Sequence, residues 1–365
     1  MKKHVILYLF LNSILAAQGV RIPPIKFAPP VYICYHAGSA INIDGRLNEA
    51  SWLKAPWTEN FVDIKGSSGS TPWYRTRAKM LWDDNNLYVA AELQEINISA
   101  TMKEHDTPLY LNNNFEIFID PDGDTHNYAE IELNALNTTW DLLLLKPYRD
   151  IKLASLSSWE VKGLKTAVSL NGTLNNPSDE DSSWVIEAAI PLKTFKELAN
   201  SNFPPKDGNQ WRVNFSRVEW GTEENQGQNE SSANSPGKEV YWVWAPQGLI
   251  NMHYPEMWGY VQFSADTAGS QAAEFRKNKS ETAKWFLRQV YYKERNYFSK
   301  NGKYTADLKK LGIEALDLPG YVSKPVIECT NNLFEAYIES ADHLQKVHIR
   351  YDGLIWVSDI QNAGE

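Results

Sequence analysis

Residues 112–135 read NNNFEIFIDPDGDTHNYAEIELNA and bring Glu116, Asp120, Asp122, Asp124, Glu130 and Glu132 into one short stretch. Carboxylates at this density suit three chemistries: acid/base work on a glycosidic bond, an all-oxygen calcium loop, or a row of acceptors for a hydroxyl-rich ligand. An EF-hand loop starting at Asp120 requires glycine at its sixth position and glutamate at its twelfth, where this chain has Thr125 and Ile131. That motif is absent. What remains is a looser calcium site at Asp120, Asp122 and Asp124, or a solvated turn.

The alternation of side chains along a strand sorts the other acids. In FEIFID, Phe115, Ile117 and Ile119 share one face and Glu116 and Phe118 the other; in YAEIELN, Ala129, Ile131 and Leu133 oppose Tyr128, Glu130, Glu132 and Asn134. Paired through DPDGD, the two strands make a hairpin with one face toward a core and a polar face toward solvent. Carboxylates there can accept hydrogen bonds from sugar hydroxyls while an aromatic ring packs on the C–H face; the plain alternative is an exposed charged sheet. Cross-strand neighbours also fall in the range of roughly 5 to 9.5 Å at which paired carboxyls hydrolyse glycosides. Glu116, Glu130 and Glu132 are therefore the catalytic candidates of an alternative reading, an O-glycosyl hydrolase. No H-E-x-x-H, G-x-S-x-G, P-loop or dinucleotide glycine motif occurs.

The elements that must hold this hairpin are short. INIDG, RAKMLWDDNNLYVAAEL, TAVSLNG, SWVIEAAIP, WRVNFSRVEW, YWVWAP and WGYVQF are alternating or β-branched and aromatic runs separated by turn residues, DDNN at 83–86 among them. They predict a mainly β fold, an antiparallel β-sandwich over 39–265. From about 275 the spacing becomes helical and stops at Asn301-Gly302. KPVIECT, FEAYIES and VHIRYDGLIWVS follow, so 275–365 is a small C-terminal α+β appendage of unknown function.

The N-terminus, MKKHVILYLFLNSILAAQG, has a basic start, an apolar run and small residues, the pattern of an export signal over 1–19 that is too short to span a bilayer. A secreted, periplasmic or cell-surface location follows, with no membrane span after signal removal. Residues 20–38 are expected to form a proline-rich lead-in. Cys34 and Cys329 are either one bridge or two buried free thiols. A net charge of -9 without any Lys/Arg block lacks the footprint that a phosphate backbone requires, which excludes nucleic acid as a partner.

In chain order, INIDGRLNEASW (41–52), AKMLWDDNNLYVAAEL (78–93), FEIFIDPDGD (115–124), SWVIEAAIP (183–191) and HYPEMWGYVQF (253–263) resemble the family 9 carbohydrate-binding modules. With WRVNFSRVEW and YWVWAP the chain is similar to the secreted sugar-binding proteins of that type, over about 38–265. The resemblance implies a sandwich that binds an oligosaccharide or polysaccharide between two aromatic rings, in support of polysaccharide catabolism and beside glycan-degrading enzymes. It implies no required cofactor, and calcium as a structural ion. Carried over, the stacking ring is Tyr110, and Glu116 and Asn134 take the hydroxyls. The family's arginine position holds Glu132, and its second clamping tryptophan falls at Met252 beside His253. Trp140, Trp220 and Trp244 are candidates for the lost ring, and Arg217 for the lost cation. A third reading is a surface adaptor whose sugar site has decayed.

Overall fold

The computed structural model describes residues 19–151, 153–199, 203–221, 238–270, 272–314 and 318–360. The expected signal peptide lies outside the described residues except for Gly19. Two compact units emerge: Pro23–Glu281, and Thr282–Glu365 together with the residues before Pro23.

The larger unit is built from β1 (Val31–His36), a short helix α1 (Ala50–Lys54), β2 (Val62–Asp63), β3 (Thr76–Trp82), β4 (Asn86–Gln94), β5 (Asn114–Asp120), β6 (Tyr128–Asn134), β7 (Thr139–Leu144), β8 (Ser155–Leu156), β9 (Lys165–Asn171), β10 (Ser183–Pro191), β11 (Gln210–Trp220), β12 (Glu239–Val243) and β13 (Gly259–Thr267). Their order is β8-β7-β6-β5-β11-β13-β1-β3-β4-β10-β9, with β12 pairing β11 and β2. Val31–His36 belongs to the stretch expected as a lead-in, yet it is the strand that joins the two halves. It runs parallel to β13 along its length and to β3 only at Tyr35 and His36, with a register shift between those two residues. A junction this short lets the ribbon fold over on itself into a sandwich. Phe115, Ile117 and Ile131 from one half then meet Met80, Val89 and Ile186 from the other in a single core, each such side chain contributing about 1.5–3 kcal/mol on burial.

Turn chemistry sets the strand ends. Asp83 Oδ1 accepts the amides of Asn85 and Asn86, both at 2.8 Å, which closes the β3–β4 hairpin. In DPDGD, Gly123 takes the left-handed conformation with φ +64, where a side chain would strain the backbone. The β5–β6 register then places Glu116 opposite Glu132 and Phe118 opposite Glu130.

One expectation fails here. The second face of the β5–β6 hairpin is not solvated, because Ile64, Met252 and Trp258 from the connections close over Phe118, Tyr128, Leu142 and Leu144 to form a second apolar cluster. The acids on that face are therefore buried.

In the smaller unit, α2 (Glu281–Asn301) ends at Gly302, whose φ is +67 and whose amide donates to Phe298 O at 2.8 Å. Strands β14 (Val326–Cys329), β15 (Phe334–Glu339), β16 (Gln345–Arg350) and β17 (Ile355–Asp359) form an antiparallel sheet in that order. Alternation buries Ala336, Ile338, Val347 and Ile349 on one side. Asn296 on α2 donates through Nδ2 to Val20 O at 3.1 Å, which ties residue 20 to the helix. Cys34 and Cys329 are free, and Cys329 is exposed rather than buried.

Candidate functional site

A turn of 3-10 helix, Leu109–Leu111, precedes β5 and presents Tyr110. Leu109 is fully buried and anchors the turn, while Trp220 Nε1 donates to Tyr110 O at 3.0 Å and fixes the backbone from behind. The ring of Tyr110 is left 43% exposed, with Trp140 at 6.0 Å between centroids on its other flank. Beside this ring opens a cavity of about 200 Å³. Glu116, Glu130 and Glu132 line it, Tyr110 and Tyr241 wall it, and Ile250, Asn251, Met252 and His253 close it on the far side.

Carboxylate oxygens of the three glutamates lie within 4.8 Å of one another. Desolvation dominates their titration: burial pushes Glu116 up to about 7, and raises Glu130 and Glu132, with the charge of Glu116 adding to both. Asn114 Nδ2 donates to Glu132 at 2.7 Å and to Glu116 at 3.4 Å, and the Tyr110 backbone amide and the Ser216 hydroxyl also offset the shifts of Glu132 and Glu116 respectively. No lysine or arginine is among the lining residues. His253 does not supply a cation either. Burial and the nearby Arg149 push its imidazole down to about 3, and its Nδ1 meets the Tyr128 hydroxyl at 2.9 Å. It is a neutral hydrogen-bonding group at neutral pH.

Five candidates do not line the cavity. Arg217 pairs in register with Phe115, one residue out of phase with Ser216 and Glu116, so its side chain leaves on the core side of β11. There it is bound to Glu219 Oε2 at 2.8 Å, to Gln94 O at 2.7 Å and to Glu95, and is 1% exposed. Asn134 is fully buried and closes the β6–β7 turn: its Oδ1 accepts the amides of Leu136 and Thr138, and its Nδ2 donates to Met102 O. Trp244 is a core residue, and Trp220 and Trp140 support Tyr110 without lining the cavity.

The carbohydrate family 9 binding domain-like family matches residues 43–204. This stretch belongs to that family. The match is narrower than the resemblance over 38–265, and it contains Tyr110 and all three glutamates. An exoglucanase of Acetivibrio thermocellus is 28% identical over 149 residues, 41% of this chain; the chain spans 11% of that relative's length. A family 9 module from Caldicellulosiruptor kristjanssonii, solved with cellotriose, is 18% identical, covers 67% of this chain and 98% of its own, and has a TM-score of 0.43. The same organism's module solved with glucose is 17% identical, covers 66% of this chain and all of its own, and has a TM-score of 0.42.

The far wall of the cavity lies beyond the matched stretch and includes one residue that the motifs did not point to. Tyr241 is on β12, where Trp242 and Trp244 face the main core while Val243 faces the second apolar cluster. The alternation in YWVWAP was the available signal: it puts Tyr241 on the same side as Val243. Tyr148, inside the matched stretch and next to His253 rather than lining the cavity, was missed for a different reason. It stands in a loop, 41% exposed, with its ring edge-on to His253 at 4.5 Å, and loops carry no periodicity to read.

Asp120, Asp122 and Asp124 also gather, with one oxygen each within 4.8 Å. Asp120 is fully buried, and its two oxygens accept the amides of Gly123 and Thr125, both at 2.9 Å. Burial and then Asp122 raise its pKa. The donor set is oxygen only, which fits a hard cation.

Proposed function

We propose that this chain is an exported carbohydrate-binding protein that holds one terminal sugar unit of an oligosaccharide or polysaccharide without cleaving it. The observation that carries the reading is the exposed ring of Tyr110 standing over a cavity lined by hydrogen-bond acceptors. About 200 Å³ is below the roughly 300–1,000 Å³ typical of sites for drug-sized ligands, which suits one ring better than a chain. Tyr110 would stack on the sugar, Glu116 and Glu132 would accept its hydroxyl protons, and His253 would contribute a neutral imidazole. Export is supported by the N-terminal sequence, and among the described residues no helix is long and apolar enough to cross a membrane. Similarity to a stretch of a much longer exoglucanase supports a role beside glycan-degrading enzymes. The Asp120, Asp122 and Asp124 turn would hold a structural calcium, read out as a melting temperature that rises with calcium and falls with chelator.

A second reading is favoured by one observation, since burial raises the titration of all three glutamates and a general acid needs that. Hydrolysis needs a second carboxyl held ionised as base or nucleophile. Here the environment pushes all three the same way, which favours binding. The adaptor reading is disfavoured by the exposed rings of Tyr110 and Tyr148 beside the cavity.

Calorimetric titration with xylo-, cello- and manno-oligosaccharides, for the mature protein and Tyr110→Ala, tests the proposal. Saturable heat lost in the variant, with intact sugar recovered, supports it. Shortened sugar moves the case to hydrolysis, and the absence of heat with every ligand overturns the site.

A further inference from the structure

The charge of the cavity narrows its ligand further than its shape does. Three carboxyl groups converge within 4.8 Å, and the charged groups that usually compensate such a cluster are engaged elsewhere. Arg217 is held by Glu95 and Glu219 on the opposite face of its strand, Arg149 is bound to Glu256 at 3.0 Å, and His253 is neutral. Glu130 is the decisive member. It is 6% exposed and lines the cavity, and the hydrogen bond it makes runs within the trio, to Glu132. A buried carboxyl partnered by another carboxyl keeps lone pairs that cost free energy until a further donor reaches them. The rings of Tyr110 and Tyr241 on the walls add the negative faces that favour a cation.

We propose that the cavity selects a saccharide unit carrying a protonated amine, with the ammonium among Glu116, Glu130 and Glu132 and the sugar ring against Tyr110. An ammonium offers three N–H donors, one for each carboxyl, whereas a hydroxyl offers one. Charge-assisted hydrogen bonds of this kind are about twice as strong as neutral ones, and a site shielded from water weakens the attraction less than solvent does. The inference rests on the sugar-binding reading above and gives that site its ligand class.

The test uses metal-stripped mature protein and three disaccharides of matched linkage: the β-1,4 dimer of glucosamine, its N-acetylated form, and cellobiose. At pH 7 the free amine should bind at least about tenfold more tightly than cellobiose, a difference of about 1.4 kcal/mol. Acetylation should abolish the gain, because it removes the charge while keeping the ring. The gain should shrink as pH falls and the trio is protonated, a comparison that needs no variant. Glu130→Gln with Glu132→Gln should bring amine and neutral sugars to parity, and Tyr110→Ala should weaken all of them. Equal affinity for amine and neutral sugars overturns the inference and leaves the sugar-binding reading standing. Failure of every sugar overturns both. Trio-dependent heat with calcium that no amine sugar displaces overturns the inference in favour of a metal site.

Discussion

Replacing Glu116 by glutamine will make the protein more stable at neutral pH, and the gain will depend on pH in a specified way. Glu116 is 4% exposed and its carboxyl titrates near 7 in the folded state, against 4.5 for the free side chain, chiefly because burial penalises its charge. A folded pKa above the unfolded one means that the folded state binds the proton more tightly between those two values, so stability falls as pH rises through that window. The distance from 4.5 to about 7 corresponds to about 3 kcal/mol. Glutamine has nearly the same shape and never ionises, so the variant lacks this loss. Urea denaturation of both proteins at intervals from pH 4 to pH 8.5, with chelator present, gives the two stability curves. The variant should gain on the wild type by about 3 kcal/mol between pH 4.5 and pH 7.5 and hold that lead above it. Parallel curves would refute the reasoning, and would mean that the carboxyl is solvated or neutralised in the folded state. Because Glu130 and Glu132 are raised by the same cause, the double variant with either should show a larger gap.

Three further outcomes follow from the geometry. Arg217→Met leaves Glu95 and Glu219 buried without their cation and should cost about 3–5 kcal/mol at pH 7, less at pH 5, measured by urea midpoint; wild-type stability at pH 7 would show that the network is not buried. Phe118→Ala opens the second apolar cluster under the cavity and should cost about 3–5 kcal/mol, again by denaturation, with sugar binding weakened in the fraction that remains folded. His253→Gln should hold its stability better than the wild type as pH falls from about 6.5 toward 3: the imidazole is kept neutral in the fold and charges only on unfolding. Titration of the His253 ring near 6.5 by NMR would contradict that.

Much of the site was legible as sequence because a strand repeats every two residues. Glu116, Glu130 and Glu132 were placed on one face by alternation alone, and Tyr110, Met252 and His253 by motif spacing, and all six line the cavity. Arg217 and Asn134 were misplaced by the same kind of reasoning. For Arg217 the error is one residue of phase on β11: Trp211, Val213 and Phe215 alternate toward the core, and Arg217 continues that series. For Asn134 the side chain was spent on its own turn, closing backbone groups that would otherwise lack partners.

What the sequence determined by itself is local: strand alternation, the turns at DDNN and DPDGD, the helix that stops at Gly302, and a net charge of -9. The tertiary structure alone decided that the polar face of the β5–β6 hairpin is covered. Ile64, Met252 and Trp258 come from connections remote in sequence, and only their closure removes water from the three glutamates. Desolvation is a property of what surrounds a group, so the same acids that read as a solvated surface became a buried pocket whose carboxyls keep their protons to higher pH.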